Sequence, residues 1–423
     1  MKVFFNYLIA TSALIAGFTS CSNDDDLTGK GGNPTPNGKA TTFTLSIAQP
    51  KTYATDMNAT ADENMMTSVD VFIFNDSDVL EKRERLSSSD FTSSTDNEYT
   101  ANRTIATTVG AKKIYVGVNL SDELARDVAS RGLTAIYQVS SANDLMNPAN
   151  GFAMFSKVAS NPTFVEETDT NAATANKVSA TVSRLLAKVA VEKGAGLQYN
   201  VLGGTVSELQ FSLSNITKLY YVLPSASTFS PTNTLADFYK ESTYKAVNAN
   251  GTTITTANVS YVLENISAQS LEGYSTYTSI RAKFLPTKVV KLSVAGNGSS
   301  GLVSETAPVN PQTFYVVSNA GVKYYFIDQI DAAAYDATIN GTTPTMSTYQ
   351  DGYCFYKAYL NPAHNYNIFR NNLYKVNITA INGLGQSGDN IDNPGHEISK
   401  PTNITVDIVV EPWAENTQNS EIL

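Results

Sequence analysis

Apolar residues alternate with polar ones in many short stretches of the chain, which is the pattern of half-buried β-strands. The first such stretch is TTFTLSIAQ, where Phe43, Leu45 and Ile47 alternate with threonine and serine. The same alternation recurs in AKKIYVGVNL, ELQFSLSN, LYKVNITAI and NITVDIVVEPW. TFYVVSNAGVKYYFID has the pattern of a hairpin with its turn at residues 319–321. These stretches together predict an all-β protein.

Helical periodicity is rare and short. In SDELARDVASRG, Ser121 can cap a helix and Gly132 can end it. Leu124 and Val128 would share the buried face of that helix, and LADFYKES is a second candidate. Because these segments do not alternate with the strands, a parallel α/β sheet is not expected, and two antiparallel β-sandwiches with minor helix fit better. We place their boundary at SRLLAKVAVEK, where a new strand begins near Leu185.

Length and charge narrow the classes of function. A chain of 423 residues exceeds the usual size of one hydrophobic core and suits two domains. The formal net charge is −10 at pH 7 and no basic cluster interrupts it, so nucleic-acid binding is not expected. Only 16% of the residues are charged, whereas serine, threonine, asparagine and tyrosine are plentiful, which is typical of an exported β-protein.

The sequence contains no complete catalytic motif. Its two histidines, His364 and His396, belong to no HExxH motif, and neither paired cysteine ligands nor G-x-S-x-G occur. The glycines Gly383, Gly385 and Gly388 have the spacing of a dinucleotide fingerprint. That fingerprint needs a following helix, and DNIDNPG stands there instead. We therefore predict no enzymatic activity, no cofactor and no metal site.

The first residues have the form of an export signal. An apolar run follows Lys2 and is too short for a membrane span of about 20 residues, but suits a secretory signal over residues 1–20. The run ends in FTSC, which resembles a lipoprotein signal whose cysteine, Cys21, is acylated, although Phe18 and Ser20 depart from the usual residues. An incidental cysteine in an ordinary signal peptide is the alternative. SNDDD resembles the acidic export tag of Bacteroidia-type lipoproteins, and residues 21–39 are predicted to be a flexible tether.

A basic residue lies directly behind the first predicted strand. Pro50 cannot donate to a strand ladder and ends that strand. Lys51 then begins a long polar stretch that would be accessible to cleavage by a trypsin-like protease. A cut between Lys51 and Thr52 would remove the tether and the strand together, as residues 21–51. The alternative is that TTFTLSIAQ is a permanent edge strand.

Several stretches in a fixed order resemble a fimbrillin, a subunit of type V pili. GKATTFTLSIAQPK is similar to the first strand and protease loop of that family, and AKKIYVGVNLSDEL to its strand, asparagine and helix. SRLLAKVAVEK is similar to the arginine-marked strand that opens the second domain. FRNNLYKVNITAINGLG with TNITVDIVVEPWAENTQNSEIL resembles the closing strands and the tryptophan before the tail. The family often has arginine where Lys51 stands, so either a lysine-tolerant protease is needed or the cut lies at another position.

The resemblance implies two transthyretin-like antiparallel β-sandwich domains in tandem, over residues 40–182 and 183–423. It also implies that a surface lipoprotein loses its first strand, with Phe43, Leu45 and Ile47, and that a neighbour's C-terminal segment fills the groove. Such a contact is head-to-tail and builds an open filament. The apolar candidates in the donor segment are Val409, Val410, Trp413, Ile422 and Leu423.

The implied role is a stalk subunit of a cell-surface fimbria that serves adhesion and colonisation. Its partners would be other copies of itself, anchor and tip subunits, and the outer membrane through lipid on the precursor; the adhesion receptor is not specified. Two alternatives stay open. The chain could itself be an anchor or tip subunit, or a monomeric glycan-binding surface lipoprotein that uses Trp413 and some of the 23 tyrosines.

Overall fold

Short β-strands joined by turns make up most of the described chain. The structure is a computed structural model, and it describes residues 38–49, 62–93, 98–147, 150–225, 229–266, 270–294, 300–341 and 343–413. The described helices of α type are α1 (Asp122–Arg131), α2 (Ala172–Ala175) and α3 (Gln329–Asn340). The predicted all-β class is therefore confirmed. No helix among the described residues is long and apolar enough to cross a membrane.

The first half of the chain forms a large mixed sheet. Up to Arg184 the described strands are β1 (Ala40–Ala48), β2 (Ser68–Asn75), β3 (Leu80–Ser87), β4 (Phe91–Ser93), β5 (Glu98–Ala101), β6 (Ile105–Thr108), β7 (Gly110–Val118), β8 (Ile136–Gln138), β9 (Met146–Asn147), β10 (Gly151–Phe152), β11 (Met154–Ser156), β12 (Thr163–Phe164) and β13 (Lys177–Arg184). Ten of them join in the order β3-β2-β7-β11-β13-β1-β5-β4, with β12 beside β7 and β6 beside β1.

The second half begins at Ala187 and contains two four-stranded sheets. Its strands are β14 (Ala187–Tyr199), β15 (Gly204–Ser214), β16 (Ile216–Thr217), β17 (Leu219–Tyr221), β18 (Phe238–Tyr239), β19 (Lys245–Ala246), β20 (Val259–Val262), β21 (Tyr277–Pro286), β22 (Val289–Val294), β23 (Ser300–Glu305), β24 (Phe314–Asn319), β25 (Val322–Phe326), β26 (Ser347–Tyr349), β27 (Tyr353–Tyr359), β28 (Asn372–Ile381) and β29 (Ile404–Pro412). The sheets have the orders β20-β14-β28-β29 and β19-β15-β21-β27. Side chains of both meet in one hydrophobic cluster.

The beginning of strand β14, residues 187–191, is buried on both faces, and this links the two halves of the chain. Val189 and Val191 face the core of the second half. Ala190 and the preceding Leu186 belong to a different cluster, which also contains Phe72 and Phe155 from the first half. By their contacts, the residues from Lys39 onward make one unit, so the division at residue 183 stays a prediction.

Local predictions had mixed outcomes. The helix α1 is confirmed, because the Ser121 side chain accepts a hydrogen bond from the backbone N–H of Leu124 and Gly132 follows the helix with a φ of 89°. The hairpin of β24 and β25 is confirmed as well, and both turn residues, Ala320 and Gly321, have the positive φ that a tight two-residue turn requires. The helix predicted in LADFYKES was wrong. That segment is a single 3-10 turn capped by Thr234, followed directly by the extended strand β18.

Candidate functional site: the first strand and the start of the tail

Strand β1 is an internal strand over its second half. Residues 44–48 pair in parallel with β13 on one side, and residues 46–48 pair antiparallel with β5 on the other. Its first half, residues 40–43, pairs antiparallel with β6. Removing β1 would therefore leave unpaired backbone groups on both sides of the gap, which is the feature of an open edge that attracts another strand.

The apolar face of β1 is fully buried. Phe43, Leu45 and Ile47 are each 0–1% exposed and belong to the core cluster of the first half. The ring of Phe43 stacks on Phe164 with a centroid distance of 4.8 Å. Burying each of these three side chains contributes about 1.5–3 kcal/mol. Without β1, the rest of that cluster would line an apolar groove.

Polar contacts fix the beginning of β1. The Thr41 hydroxyl donates to the backbone O of Val165 at 2.7 Å and accepts from the Asn176 side-chain amide at 3.0 Å. The Thr42 hydroxyl donates to Glu167 Oε1 at 2.6 Å. These contacts reach the segment between β12 and β13, so the strand is held by side chains as well as by its ladder.

The predicted cleavage site follows β1 closely but lies outside the described residues. Lys51 and Thr52 fall within the undescribed residues 50–61, and Cys21 precedes the first described residue. The described chain resumes with a 3-10 turn at Asp62–Asn64. Lipidation and processing therefore stay predictions.

Directly after that gap, Glu63 is buried in a cluster of charged and aromatic side chains. We call Glu63, Arg184, Lys188, Tyr261 and Trp413 the Glu63 cluster. Lys188 Nζ lies 2.7 Å from Glu63 Oε1, and the Tyr261 hydroxyl donates to the same oxygen at 2.8 Å. The Trp413 indole N–H donates to Glu63 Oε2 at 3.2 Å. Three segments that are distant in sequence thus meet at one carboxylate.

Arg184 completes the Glu63 cluster from the end of β13. Its Nε donates to the backbone O of Glu63 at 3.2 Å and its Nη1 to Asn371 Oδ1 at 3.2 Å, while Nη2 donates to Asn64. The guanidinium carbon lies 4.6 Å from the centre of the Trp413 ring, a distance at which a cation is attracted to the ring face. All its described hydrogen-bond acceptors are neutral oxygens.

Burial dominates the electrostatics of the Glu63 cluster. It lowers the pKa of Lys188 to about 8, and Glu63 offsets only part of that effect. It lowers the pKa of Arg184 to about 10. One carboxylate is therefore bonded to Lys188 and acts on Arg184 through its charge, in a buried site that depends on every partner being present.

A pH titration should detect the burial of Lys188. Its pKa is about 8 in the folded chain and 10.5 when unperturbed, so between these values only the unfolded chain binds the proton. The free energy of unfolding is therefore expected to rise by up to about 3 kcal/mol as the pH rises from about 8 to about 10.5. The measurement is urea unfolding at several pH values for wild type and Lys188→Met. Both proteins share Arg184, whose pKa of about 10 also lies in this range, so the difference between their slopes is assigned to Lys188; equal slopes would contradict the assignment.

The predicted donor residues fall into three places. Trp413 is fully buried, with its ring 5.5 Å from the rings of Phe152 and Tyr261. Val409 and Val410 are 36% and 39% exposed on β29, which in the described part of the chain pairs with β28 alone. Ile422 and Leu423 lie outside the described residues. A side chain buried in its own core is not available to a neighbour, so Trp413 is a poor donor in this conformation.

The burial of Trp413 also bears on the glycan-binding alternative. A sugar platform needs an exposed ring face, and the only tryptophan of the chain is 0% exposed. The main residue that supported this alternative is therefore not accessible.

Comparison with known proteins identifies the class. Residues 41–198 match the profile of the major fimbrial subunit protein (FimA), and residues 347–419 match that of the C-terminal region of fimbrillin, major fimbrial subunit protein type IV. Both profiles describe structural subunits of cell-surface fimbriae. The chain belongs to the fimbrillin family. No curated protein sequence matches it.

One solved structure shares the fold, and two others are similar at lower scores. A protein of Parabacteroides distasonis assigned to cell adhesion matches with a TM-score of 0.51 and 15% identity, over 89% of this chain and 98% of that one. A fimbrillin (FimA) of Porphyromonas gingivalis matches with a TM-score of 0.48 and 14% identity, over 89% and 98% of the two chains. The tip fimbrial protein Mfa3 of the same species matches with a TM-score of 0.41 and 12% identity, over 88% and 100%.

Proposed function

We propose that this chain is a stalk subunit of a fimbria that polymerises by donor-strand exchange. The precursor is exported as a lipoprotein acylated at Cys21, and a surface protease cuts between Lys51 and Thr52. Residues 21–51 then leave with β1, and the C-terminal segment of a neighbouring copy enters the groove. Anchor and tip subunits join the same filament through the same contact.

The position of β1 is the observation that carries this proposal. The strand buries three large apolar side chains and is paired on both sides over its second half. It nevertheless ends only a few residues before Lys51. A strand that is central to a core and adjacent to a basic residue can be excised by one cut, and the gap offers both apolar pockets and a backbone ladder to a replacement.

We assign the donor to the ten residues after Trp413, with Ile422 and Leu423 as its apolar side chains. The chain up to Trp413 is engaged within its own subunit: β29 pairs with β28 from Ile404 to Pro412, and Trp413 is locked in the Glu63 cluster. Val409 and Val410 would contribute only if β29 left its own sheet. A chain ending at Trp413 should therefore fold normally and yet fail to extend filaments.

Mutation of the cleavage site tests the processing step. Lys51→Gln should leave the intact, acylated precursor in the membrane fraction and reduce the detergent-resistant polymer ladder more than tenfold. Lys39→Gln is the matched control, because Lys39 also flanks β1, is largely exposed and forms a surface ion pair with Glu166; its ladder should equal that of the wild type. Polymers of Lys51→Gln in normal amount would place the cut elsewhere.

The intact mass of the subunit in sheared filaments distinguishes the alternatives. A polypeptide that starts at Thr52 without acyl groups supports a stalk subunit. An acylated chain starting at Cys21 at the filament base indicates an anchor. The same acylated chain found only as a monomer favours a surface lipoprotein outside the filament.

A further inference from the structure

One residue at the end of β1 lacks the contacts that the rest of the strand makes. Gln49 follows Ala48 and is only 1% exposed. Neither its Nε2 nor its Oε1 has a hydrogen-bond partner in the described part of the chain. Elsewhere on the strand, the hydroxyl of Thr41 is bonded to Val165 and Asn176, and that of Ser46 lies 3.2 Å from Thr100 Oγ1.

A buried amide without partners weakens the binding of the strand that carries it. The carboxamide offers two donor hydrogens and two acceptor lone pairs, which water satisfies when the strand is free. Inside the groove these bonds are lost without replacement, and this desolvation opposes the burial of Phe43, Leu45 and Ile47. An unbranched apolar side chain of similar length would fill the same space without that cost.

We propose that Gln49 sets the direction of strand exchange by weakening the hold of β1 on its groove. This inference rests on the proposed function, in which β1 is removed and replaced. After the cut, the end of the strand that carries Gln49 is also the newly freed end, so the poorly satisfied amide lies where separation can begin. An incoming strand with an apolar side chain at this position binds more tightly than β1 does, and exchange then proceeds toward the polymer.

The test is the variant Gln49→Met in the full-length precursor, with Gln138→Met as the matched control on an exposed position of β8. The melting temperature of the uncut Gln49→Met precursor should rise by about 1–2 °C, a small shift because the entropy of unfolding of a chain of 423 residues is large. Gln138→Met should leave the melting temperature unchanged.

Release of the cut strand is the second measurement. A trypsin-like protease is applied until mass spectrometry shows cleavage after Lys51, and the peptide that dissociates is separated by size and quantified over time. Release should be about tenfold slower for Gln49→Met than for wild type or the control, corresponding to about 1.4 kcal/mol. Polymer yield from the cut variant should fall in parallel.

The outcomes separate the inference from the proposed function. An unchanged or lower melting temperature for uncut Gln49→Met overturns the inference, because the amide then costs nothing in the groove. A higher melting temperature without slower release overturns its role in exchange. If wild type is never cut at Lys51 in cells but the purified variants behave as expected, the processing proposal fails while the weak point at Gln49 stands.

Discussion

Glu63→Gln is expected to lower the free energy of unfolding by about 3–5 kcal/mol, since it leaves two buried cations without their carboxylate. Lys188 and Arg184 are both 0% exposed. Lys188 forms an ion pair with the Glu63 carboxylate, and the charge of Glu63 also acts on Arg184. Glutamine can still accept hydrogen bonds from Lys188 and Trp413, but it carries no charge. The loss should therefore be electrostatic and should not require a change of shape.

This loss is measured by urea unfolding, with tryptophan fluorescence as the signal. Trp413 is the only tryptophan and lies within the Glu63 cluster, so its emission reports directly on the site. Glu166→Gln is the control, because its partner Lys39 is exposed and such a surface pair contributes about 0–1 kcal/mol. The double variant Glu63→Gln with Lys188→Met should recover part of the loss. Equal effects of Glu63→Gln and Glu166→Gln would contradict a buried charge cluster.

Phe43→Ala is expected to destabilise the precursor by about 3–5 kcal/mol, the usual cost of removing a buried aromatic ring. Phe43 is 1% exposed and stacks on Phe164. Val158→Ala is the control, since Val158 is 76% exposed. The measurement is urea unfolding of both full-length precursors, and a loss in Phe43→Ala no larger than that in the control would show that β1 contributes little to the core.

The Phe43→Ala substitution is expected to affect the stability of the precursor but not that of the mature subunit. A subunit that starts at Thr52 no longer contains position 43, so filaments made from Phe43→Ala and from wild type should have identical thermal stability. Any fall in filament yield must then arise before processing, through loss of the weakened precursor. A difference in filament stability would show that β1 is retained.

The sequence predicted what depends on local periodicity. The alternation in TTFTLSIAQ correctly placed Phe43, Leu45 and Ile47 on one buried face, and the cap and stop of α1 were both identified. LADFYKES failed because its periodicity covers barely two turns, and a capping box at Thr234 with the pairing of β18 to β16 decided the local structure instead. Parallel pairing of β1 with β13 joins residues more than a hundred positions apart, which no local pattern encodes.

The Glu63 cluster was missed for a similar reason. Glu63 stands in the polar stretch ADENMM, where a carboxylate would be expected to face water. The burial of Lys188, in contrast, can be inferred from the sequence. LLAKVAVEK is apolar on both of its alternating faces, and a lysine inside such a strand needs a buried partner. The sequence alone could not show that this partner lies 125 residues earlier.

Under the proposed strand exchange, the attachment of Trp413 would have a mechanical consequence for a filament exposed to flow. Tension would enter each subunit through its tail, and the first point that bears the load is Trp413, whose backbone N–H is bonded to Asn371 and whose indole is bonded to Glu63. From there the force divides between β14, through Lys188, and the end of β13, through Arg184. Strand β13 is also the parallel neighbour of β1, so it forms one wall of the groove that would hold the next subunit. Load would thus pass from tail to groove through buried, water-excluded contacts, and the edge strand β29 would not have to carry it alone.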